Sequence, residues 1–469
     1  MRKWVAAFTA ICITAAVGGV WIFGTMRRQA KAVEVTGTTL VGDERAADGL
    51  ILETVYELQW TYWSTVTEWT ADGPKTEAQY RLLSEEPQLL SPFFKQNAVQ
   101  ERMDNYLGRT AEYWWNVYGR PVSNGGRVVD LPLSEVTKYE PLKIYFNMWS
   151  EVMWDAYEAE DKINEFLRIT VPEWQKVRLS HTSEWDADFQ EMIENYSADF
   201  FAGEDWYYPT VESVYTGEKL FFAIDNRSKE GQILDFSDTP GGYGVYMLPL
   251  RKVRDLDKPV EYRRKDYPDD YRFESVDVEY EIGEPSVVLP LDPQTRVYGM
   301  SQSEDLTKVF VLTIEDGRYV ATVIDAVSLR VLAHIDLCEE DTLVDQTIEC
   351  HAGENFGAIY FWASDQLFIL YPYGEEDWRP IRLTGLGKLD IITWNRFRTT
   401  RLACDGERTA VCYDDDINYS EHVYLAVFDK EKPVYAGKFC NSLEYANRNE
   451  NLASIAGVQC EDFRIRWKE

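Results

Sequence analysis

Short runs in which apolar and polar residues alternate begin near Leu50 and recur along the chain. A period of two residues is typical of a half-buried strand, so each run predicts a β-strand. The early runs are ILETVYELQW, STVTEW and, after a turn at 71–74, AQYRLL; later ones are FLRITV, WQKVRL and KLFFAI. The pattern predicts a domain assembled from many short strands.

Two stretches, 87–118 and 148–168, are ambiguous between helix and strand. The second has apolar residues at a spacing compatible with one helix face: Val152, Ala156, Ile163 and Phe166. We therefore expect one or two helices inserted among the strands.

The last third of the chain has the most regular pattern, a meander of three strands. Strands are predicted at 309–313, 319–325 and 331–336, with an EDG turn between the first two. The meander recurs less tidily as GAIYFWA, QLFILYP and RPIRL, and again as RTAVCY, HVYLAVFD and PVYAGKF.

The first strands of the three copies, marked by Val309, Ile359 and Val411, lie about 50 residues apart, the spacing of propeller blades. Radial repetition also keeps the edges of many short strands from being exposed. The predicted fold class is mainly β, with a β-propeller-like domain whose clearest repeats lie at 295–469. Paired β-sandwiches are the alternative.

The N-terminal segment at 4–26 contains no charged residue. About 20 apolar residues suffice to cross a hydrocarbon core of about 30 Å, and Trp4 and Trp21 lie towards its two ends, where indole rings favour the membrane interface. We predict a transmembrane anchor at 1–26, a juxtamembrane linker at 27–45 and the β domain at 46–469. The alternative is a cleavable signal peptide, because Ala30-Lys31-Ala32 has the A-x-A shape of a cleavage site.

Basic residues flank the apolar segment on both sides, so the positive-inside rule hardly distinguishes between the two orientations of the segment in a membrane. The cysteines outside this segment lie in the last third: Cys338, Cys350, Cys404, Cys412, Cys440 and Cys460. An even number of them predicts disulfides and an oxidising compartment. Sequential pairing is the simplest arrangement, and six buried thiols are the alternative. We therefore predict a single-pass membrane protein whose C-terminal domain is extracytoplasmic.

The formal net charge of −32 bears on the partners of this domain. Binding to nucleic acid requires clusters of Lys and Arg that neutralise phosphates, so nucleic acid is excluded as a partner. The expected contacts are the bilayer, through residues 4–26, and another membrane or cell-surface protein. A basic group at 251–265 is interspersed with acidic residues, which favours a salt-bridged hairpin over an anion site.

No motif in the sequence nominates a catalytic residue. The four histidines lack zinc-site spacing, and phosphate-binding loops, dinucleotide fingerprints and nucleophile elbows are missing. A hydrolase that uses two carboxylates about 5–10 Å apart needs no such motif. With 80 acidic residues, the sequence does not single out a pair.

Two groups of residues are candidates for contact with a ligand. Oxygen ligands at alternate positions suggest a weak calcium site, with a solvated hairpin tip as the alternative: Asp414, Asp416 and Asn418. Aromatic residues could stack on sugars or anchor a partner, with core packing as the alternative: Trp114, Trp115, Trp206 and Tyr207. Apart from calcium, no cofactor is expected.

These patterns favour a membrane-anchored, extracytoplasmic protein that binds, senses or assists, and that is not an enzyme. The alternative is an anchored extracytoplasmic hydrolase of the glycosidase kind. Acids with raised pKa at one mouth of the domain would favour the enzyme. An exposed apolar or aromatic rim would favour binding.

Overall fold

The computed structural model of this chain describes most of the β domain. The described residues are 14, 17–19, 21, 24, 35–58, 61–82, 99–101, 114–119, 128–139, 144–146, 157–186, 191–202, 205–206, 210–227, 232–262, 274–340, 348–353, 355–361, 364–374, 376–384, 400–414, 423–441 and 459–468.

Most of these residues lie in β-strands. The strands of the first half are β1 (Val35–Gly42), β2 (Leu50–Leu58), β3 (Thr61–Thr70), β4 (Gly73–Leu82), β5 (Val99–Glu101), β6 (Val128–Pro132), β7 (Ile144–Phe146), β8 (Gln175–Asp186), β9 (Glu191–Ala202), β10 (Asp205–Trp206), β11 (Val211–Tyr215) and β12 (Lys219–Ile224). The strands of the second half are β13 (Gly244–Tyr262), β14 (Glu274–Ile282), β15 (Ser286–Pro290), β16 (Arg296–Gln302), β17 (Lys308–Glu315), β18 (Arg318–Asp325), β19 (Val331–Glu339), β20 (Ile348–Ala352), β21 (Gly357–Phe361), β22 (Gln366–Pro372), β23 (Trp378–Thr384), β24 (Thr400–Cys404), β25 (Arg408–Asp414), β26 (Val423–Asp429), β27 (Lys432–Asn441) and β28 (Gln459–Trp467). Helical segments are α1 (Tyr157–Phe166), 3-10 turns at Glu44–Ala47 and Leu133–Glu135, and a π-helical turn at Trp115–Gly119.

The strands form a series of antiparallel sheets, numbered here in order along the chain. Sheet 1 is β28-β2-β3-β4, sheet 2 is β10-β9-β8-β6, and sheet 3 is β11-β12-β13-β14 with β15 also on β13. Sheets 4 and 5 are β16-β17-β18-β19 and β20-β21-β22-β23, and sheet 6 is β24-β25-β26-β27-β1. The predicted mainly β class is confirmed, and so are the three meanders. The strands predicted to open each meander are the second strands of their sheets, because β16, β20 and β24 precede them.

The two ends of the β domain each complete a sheet begun at the other end. β28 pairs with β2, with Leu50 opposite Trp467 and Leu52 opposite Ile465. β1 pairs with β27 as the outer strand of sheet 6. The predicted linker at 27–45 is therefore wrong in part, since residues 35–42 form a strand. Residues 35–42 form a strand because they pair with β27. Pairing with a strand so distant in sequence cannot be predicted from the local pattern of apolar and polar residues.

Apolar clusters fill the spaces between successive sheets. Tyr246 and Phe222 belong to the cluster between sheets 3 and 4, and Phe361 lies in the one between sheets 4 and 5. Sheets 5 and 6 enclose Phe428, while sheets 6 and 1 enclose Trp69. Burying each such side chain contributes about 1.5–3 kcal/mol. Sheets 3, 4, 5, 6 and 1 thus pack face to face in that order.

The turns at one end of the later sheets are held by aspartate side chains. Asp305, Asp325 and Asp405 each accept a hydrogen bond from a backbone N–H two or three residues further on. Such side chains replace the backbone partners that a tight turn leaves out. The turns that carry Asp305 and Asp405 border the site described below.

The helix compatible with the pattern of 148–168 is present where this stretch is described. Within 148–168, α1 spans Tyr157–Phe166, and residues 148–156 lie outside the described part of the chain. Ala159 and Ile163 of α1 are fully buried against sheet 3. The strand predicted from FLRITV is wrong, because Phe166 ends the helix and only Thr170 forms isolated bridges. Its apolar residues are buried by packing and not by pairing in a sheet.

Among the residues that the structure describes, no helix is long and apolar enough to span a membrane. Most of the predicted anchor at 4–26 lies outside those residues. The anchor and the topology derived from it therefore remain predictions.

Candidate functional site

A cavity of about 510 Å³ lies where sheets 1 and 6 meet, and we call it the seam cavity. The neighbouring strands β28 and β24 form two of its sides. Its charged and amide lining residues are Glu53, Glu304, Asn355, Asp405, Arg464, Arg466 and Lys468. Its other lining residues are Phe356, Leu402, Ala403, Cys404, Ile465 and Trp467. This size falls within the range of ligand sites, about 300–1,000 Å³.

The alternation of β28 places a row of cations on the cavity. Successive side chains of a strand point to opposite faces. Ile465 and Trp467 are buried in the core between sheets 6 and 1, so Arg464, Arg466 and Lys468 lie on the other face. Three basic residues at alternate positions are a local exception in a chain of net charge −32.

Each of these cations pairs with a carboxylate from a different element. Arg466 donates to Glu53 Oε1 of β2 over 3.1 Å from Nη2, and Lys468 pairs with Glu68 over 2.7 Å. Nε of Arg464 lies 3.6 Å from Oε2 of Glu304 in the turn after β16. Partly exposed pairs contribute about 0–1 kcal/mol each. They therefore orient the cavity charges more than they stabilise the fold.

Trp467 fixes the end of β28 at the rim of the cavity. Its Nε1 donates to the carbonyl oxygen of Ala403 over 3.3 Å, and the guanidinium carbon of Arg408 lies 3.8 Å from the indole ring centroid. Arg408 also donates to the carbonyl oxygen of Asp48 over 2.9 Å. These contacts join the last strand to the first turn of the β domain at the cavity wall.

The carboxylate of Asp405 is held by the protein itself. Its Oδ1 accepts from the backbone N–H groups of Glu407 and Arg408, and its Oδ2 accepts from Nε of Arg408 over 3.0 Å. The other two carboxylates of the cavity, those of Glu53 and Glu304, are each paired with an arginine of β28.

A second group of charges lies between sheets 3 and 4. Asp225, just after β12, accepts a 2.9 Å hydrogen bond from Nη2 of Arg296, the first residue of β16. Glu212 of β11 is partly buried, and burial, followed by the charge of Asp225, raises the pKa of its carboxyl to about 8. The backbone N–H of Met300 opposes this shift. A protonated acid therefore lies near an acid that an arginine neutralises.

The predicted aromatic contacts are only partly described. Trp114 and Trp115 are half-buried and pack on the core of sheet 2, with Trp115 5.7 Å from the ring of His181 between centroids. Both rings thus contribute to core packing, and contact of their exposed parts with a ligand stays a prediction. The side chain of Trp206 and the whole of Tyr207 lie outside the described residues.

The calcium candidate also falls largely outside the described part of the chain. Asp414 ends β25, but its side chain is not described, and Asp416 and Asn418 lie beyond that strand in the gap before β26. Within the described residues, no group of three or more His, Cys, Asp or Glu residues could hold a metal ion. Calcium binding at these positions stays a prediction.

Four of the six cysteines are thiols: Cys338, Cys350, Cys404 and Cys412. The sequential pairs 338–350 and 404–412 are therefore not formed. Cys404 and Cys412 contribute to clusters on opposite faces of sheet 6, while Cys338 lies on the outer strand of sheet 4 and Cys350 on the first strand of sheet 5. The side chains of Cys440 and Cys460 lie outside the described residues.

The basic group at 251–265 forms a salt-bridged hairpin where it is described. Arg251 pairs with Glu281, and Arg254 pairs with Glu279 over 2.6 Å, both across β13 and β14. The predicted salt-bridged hairpin is therefore present, but the acidic partners come from β14 and not from the acidic residues interspersed within 251–265.

The cavity residues were missed by sequence reasoning. One pattern in the sequence could have indicated a strand with a basic face. It is the alternation of basic and apolar residues over Arg464, Ile465, Arg466, Trp467 and Lys468. Their position beside β2 and β24 depends on pairing between the two ends of the domain. Glu212 carried no signal, because its environment is formed by β12 and β16.

No protein-family model and no curated protein matches this chain. Solved structures similar to part of it include the mitotic checkpoint complex, 13% identical over 41% of this chain and 47% of that one, with a TM-score of 0.21. Another is dihydro-heme d1 dehydrogenase, 11% identical over 56% and 41% of the two chains, with a TM-score of 0.23. The chain spans less than half the length of both.

A β-propeller domain from Myceliophteria thermophila is 10% identical over 58% of this chain and 82% of that one, with a TM-score of 0.20. TM-scores this low carry no argument about function. The chain's own geometry therefore has to support any functional proposal.

Proposed function

We propose that this chain is a membrane-anchored, extracytoplasmic binding protein in which sheets 1 to 6 are arranged as propeller blades and the ligand occupies the seam cavity. The observation that carries the proposal is the seam cavity itself. It has the volume of a ligand site, and partly exposed side chains of both charge signs line it. A rigid β platform with polar groups converging on one cavity is typical of a binding site.

The blade arrangement is supported by the order of the sheets. Sheets 3 to 6 and sheet 1 pack in sequence, and β28 places the end of the domain beside its beginning. Closing the first blade with a strand from the other end of the chain would hold such a ring together. The seam cavity lies at this closure.

Thermal-shift measurements on the full-length protein test the binding proposal. A panel of peptides, organic acids and oligosaccharides would be screened against the native chain, Arg466→Met and the matched control Arg251→Met. Arg251 is also a paired surface arginine, but on sheet 3. At least one compound is expected to raise the Tm of the native chain and the control, and not that of Arg466→Met. No shift with any compound, or a shift that survives in Arg466→Met, would overturn the proposal.

The topology is tested separately by reporters fused at the C-terminus. A reporter that is active only outside the cytoplasm is expected to work, and one that is active only in the cytoplasm is not. Activity of the cytoplasmic reporter would exclude the extracytoplasmic location without affecting the cavity.

One observation favours a hydrolase as the second candidate function. Glu212, whose pKa is raised to about 8, is protonated at neutral pH and could donate a proton near the carboxylate of Asp225. Hydrolysis of chromogenic aryl glycosides by the full-length protein would be compared with that by Glu212→Gln. Turnover that falls at least a hundredfold in this variant would support the hydrolase, and no turnover by the native chain would exclude it for these substrates.

A further inference from the structure

The charged groups that line the seam cavity are neutralised within the protein. Every cation and every carboxylate among the lining residues has a partner of opposite charge, and the pairs are Arg464–Glu304, Arg466–Glu53, Lys468–Glu68 and Asp405–Arg408. A ligand that displaced one partner would leave the other partly buried and uncompensated, which carries an energetic cost. A ligand that leaves the pairs in place avoids this cost.

The pair of Glu53 and Arg466 keeps hydrogen-bonding groups that the protein does not use. Nε and Nη2 of Arg466 both donate to Oε1 of Glu53, over 3.3 and 3.1 Å. Among the residues that the structure describes, Oε2 of Glu53 and Nη1 of Arg466 have no partner. Neither atom is one of the buried polar atoms without a partner, so both are accessible to solvent. The ion pair thus offers an acceptor and adjacent donors to a ligand while it stays formed.

Hydroxyl groups match this combination, because a hydroxyl donates and accepts at one oxygen. The oxygen of one hydroxyl can accept from Nη1 of Arg466, and the same hydroxyl or its neighbour can donate to Oε2 of Glu53. Hydrogen bonds in which one partner is ionised are stronger than those between neutral groups. A polyhydroxylated ligand therefore gains charge-assisted hydrogen bonds without breaking the pair.

Charged ligands meet a like charge at the same place. An anion on Nη1 of Arg466 would lie beside the carboxylate of Glu53, and a cation on Oε2 of Glu53 would lie beside the guanidinium of Arg466. Juxtaposed like charges cost free energy, and a neutral ligand avoids that cost. The paired charges of the cavity therefore favour a neutral ligand over an ionic one.

The apolar lining residues offer little surface to a ligand. Phe356 is 2% exposed and Trp467 is 9% exposed, and the guanidinium of Arg408 lies over the indole ring of Trp467. The side chain of Asn355, by contrast, is exposed at the cavity and adds an amide donor and acceptor. A ligand here is therefore held by hydrogen bonds more than by apolar contact.

Resting on the proposed binding function, we propose that the seam cavity binds a neutral oligosaccharide. Neighbouring hydroxyls of one sugar ring bridge Nη1 of Arg466 and Oε2 of Glu53, and a further hydroxyl contacts the amide of Asn355. The volume of about 510 Å³ limits the ligand to a short oligosaccharide. Because this ligand carries no charge, its affinity depends little on the ionic strength of the solution.

Calorimetric titration of the full-length protein, one compound at a time, tests this inference. The probes are neutral disaccharides and trisaccharides, oligogalacturonates as anions, chitosan oligomers as cations, and tripeptides with free termini. At least one neutral saccharide is expected to bind at least tenfold more tightly than every charged probe. Its affinity should change less than about twofold between 0.05 and 0.5 M NaCl, because screening acts on charges.

Variants of the ion pair locate the binding site. Arg466→Met and Glu53→Gln should each reduce the affinity for that saccharide at least tenfold. The matched controls are Arg251→Met and Glu281→Gln, which change an ion pair of sheet 3 outside the cavity. Both controls should leave the affinity unchanged.

The outcomes separate the inference from the proposed function. If a charged probe or a tripeptide binds and loses affinity in Arg466→Met while neutral saccharides do not bind, the oligosaccharide inference is wrong and the cavity is still a binding site. If neutral saccharides bind equally well to the native chain and to both cavity variants, their site is elsewhere and the inference is also wrong. If no probe binds in a way that depends on Arg466, both fail. Using two variants on different strands keeps the test valid if one of them does not fold.

Discussion

The carboxylate of Asp225 accepts a 2.9 Å hydrogen bond from Nη2 of Arg296. This bond joins the end of β12 in sheet 3 to the start of β16 in sheet 4, and it lies beside the partly buried Glu212. Arg296 neutralises the negative charge of Asp225. Glu212 has no such cation in this group, and burial opposes the ionisation of its carboxyl. The pH dependence of stability should therefore report on this junction.

Glu212 should make the folded state less stable as the pH rises. Burial raises the pKa of its carboxyl from 4.5 to about 8, so between these values the unfolded chain loses a proton that the folded chain keeps. The contribution to stability is full below pH 4.5 and is lost as the pH rises towards 8, at about 1.4 kcal/mol per pH unit. Glu212→Gln should remove this slope, measured by chemical denaturation from pH 5 to 9.

The matched control is Glu218→Gln, an exposed carboxylate in the turn after β11. The Glu218→Gln variant should show the same slope of stability against pH as the native chain. An unchanged slope in Glu212→Gln would mean that Glu212 is ionised in the folded protein at neutral pH, which would also remove it as a proton donor.

Gly42 should be required for the pairing of β1 with β27. Its φ is +76°, and a Cβ atom there would overlap the carbonyl oxygen of Val434. Gly73 has a φ of +103° but open space around its Cβ position. Gly73→Ala should cost about 1–2 kcal/mol from backbone strain alone. Gly42→Ala should cost about 1–3 kcal/mol more, because overlap is added to strain.

Hydrogen exchange of β1 is the direct readout for this comparison. Faster exchange in residues 35–42 is expected in Gly42→Ala and not in Gly73→Ala. Equal exchange in the two variants would show that β1 is not held by this close approach.

The indole of Trp467 should contribute more to the free energy of unfolding than the indole of Trp378, a second buried tryptophan. Its Nε1 donates to the carbonyl oxygen of Ala403, and Arg408 lies over its ring. Trp378 is buried to a similar extent, but its Nε1 has no hydrogen-bond partner among the described residues. Trp467→Phe should therefore lower the stability by about 1–2 kcal/mol more than Trp378→Phe. Calorimetric melting of both variants measures the difference, and equal losses would contradict the role given to Trp467.

Cys338, Cys350, Cys404 and Cys412 should all be thiols in the folded protein. Alkylation in denaturant without reductant, followed by peptide mass spectrometry, should find each of them modified. A peptide pair linked through 338–350 or 404–412 would restore the disulfide prediction. The result also bears on the compartment, because the extracytoplasmic location was predicted partly from paired cysteines.

Local pattern predicted the second, third and fourth strands of sheets 4 to 6 and failed on their first strands. KVFVLTIE and RYVATVID are rich in β-branched residues because both faces are buried. β16, β20 and β24 are short and carry polar residues that are also buried, such as Gln302, His351 and Arg401. The second strand of each of these sheets was therefore taken as its first strand. The period of about 50 residues was still found, because it does not depend on which strand is counted.

The candidate site could not be predicted because it depends on distant parts of the chain. The pair Lys468 and Glu68 is separated by 400 positions in sequence, and Glu304 reaches Arg464 from another sheet. The alternation of β28 could have suggested a basic strand face. It could not have shown that this face lines a cavity at the junction of the first and last sheets.

Photo-crosslinking at Asn355 tests the central claim, binding in the seam cavity, most directly. Asn355 lines the cavity and is exposed, so a benzoylphenylalanine there should be tolerated, and the same substitution at the exposed Asp429 outside the cavity is the control. Irradiation of the full-length protein in the cells that produce it, followed by mass spectrometry, should give a reproducible mass adduct at position 355 and none at 429. Absence of an adduct at 355, or equal adducts at both positions, would contradict the account.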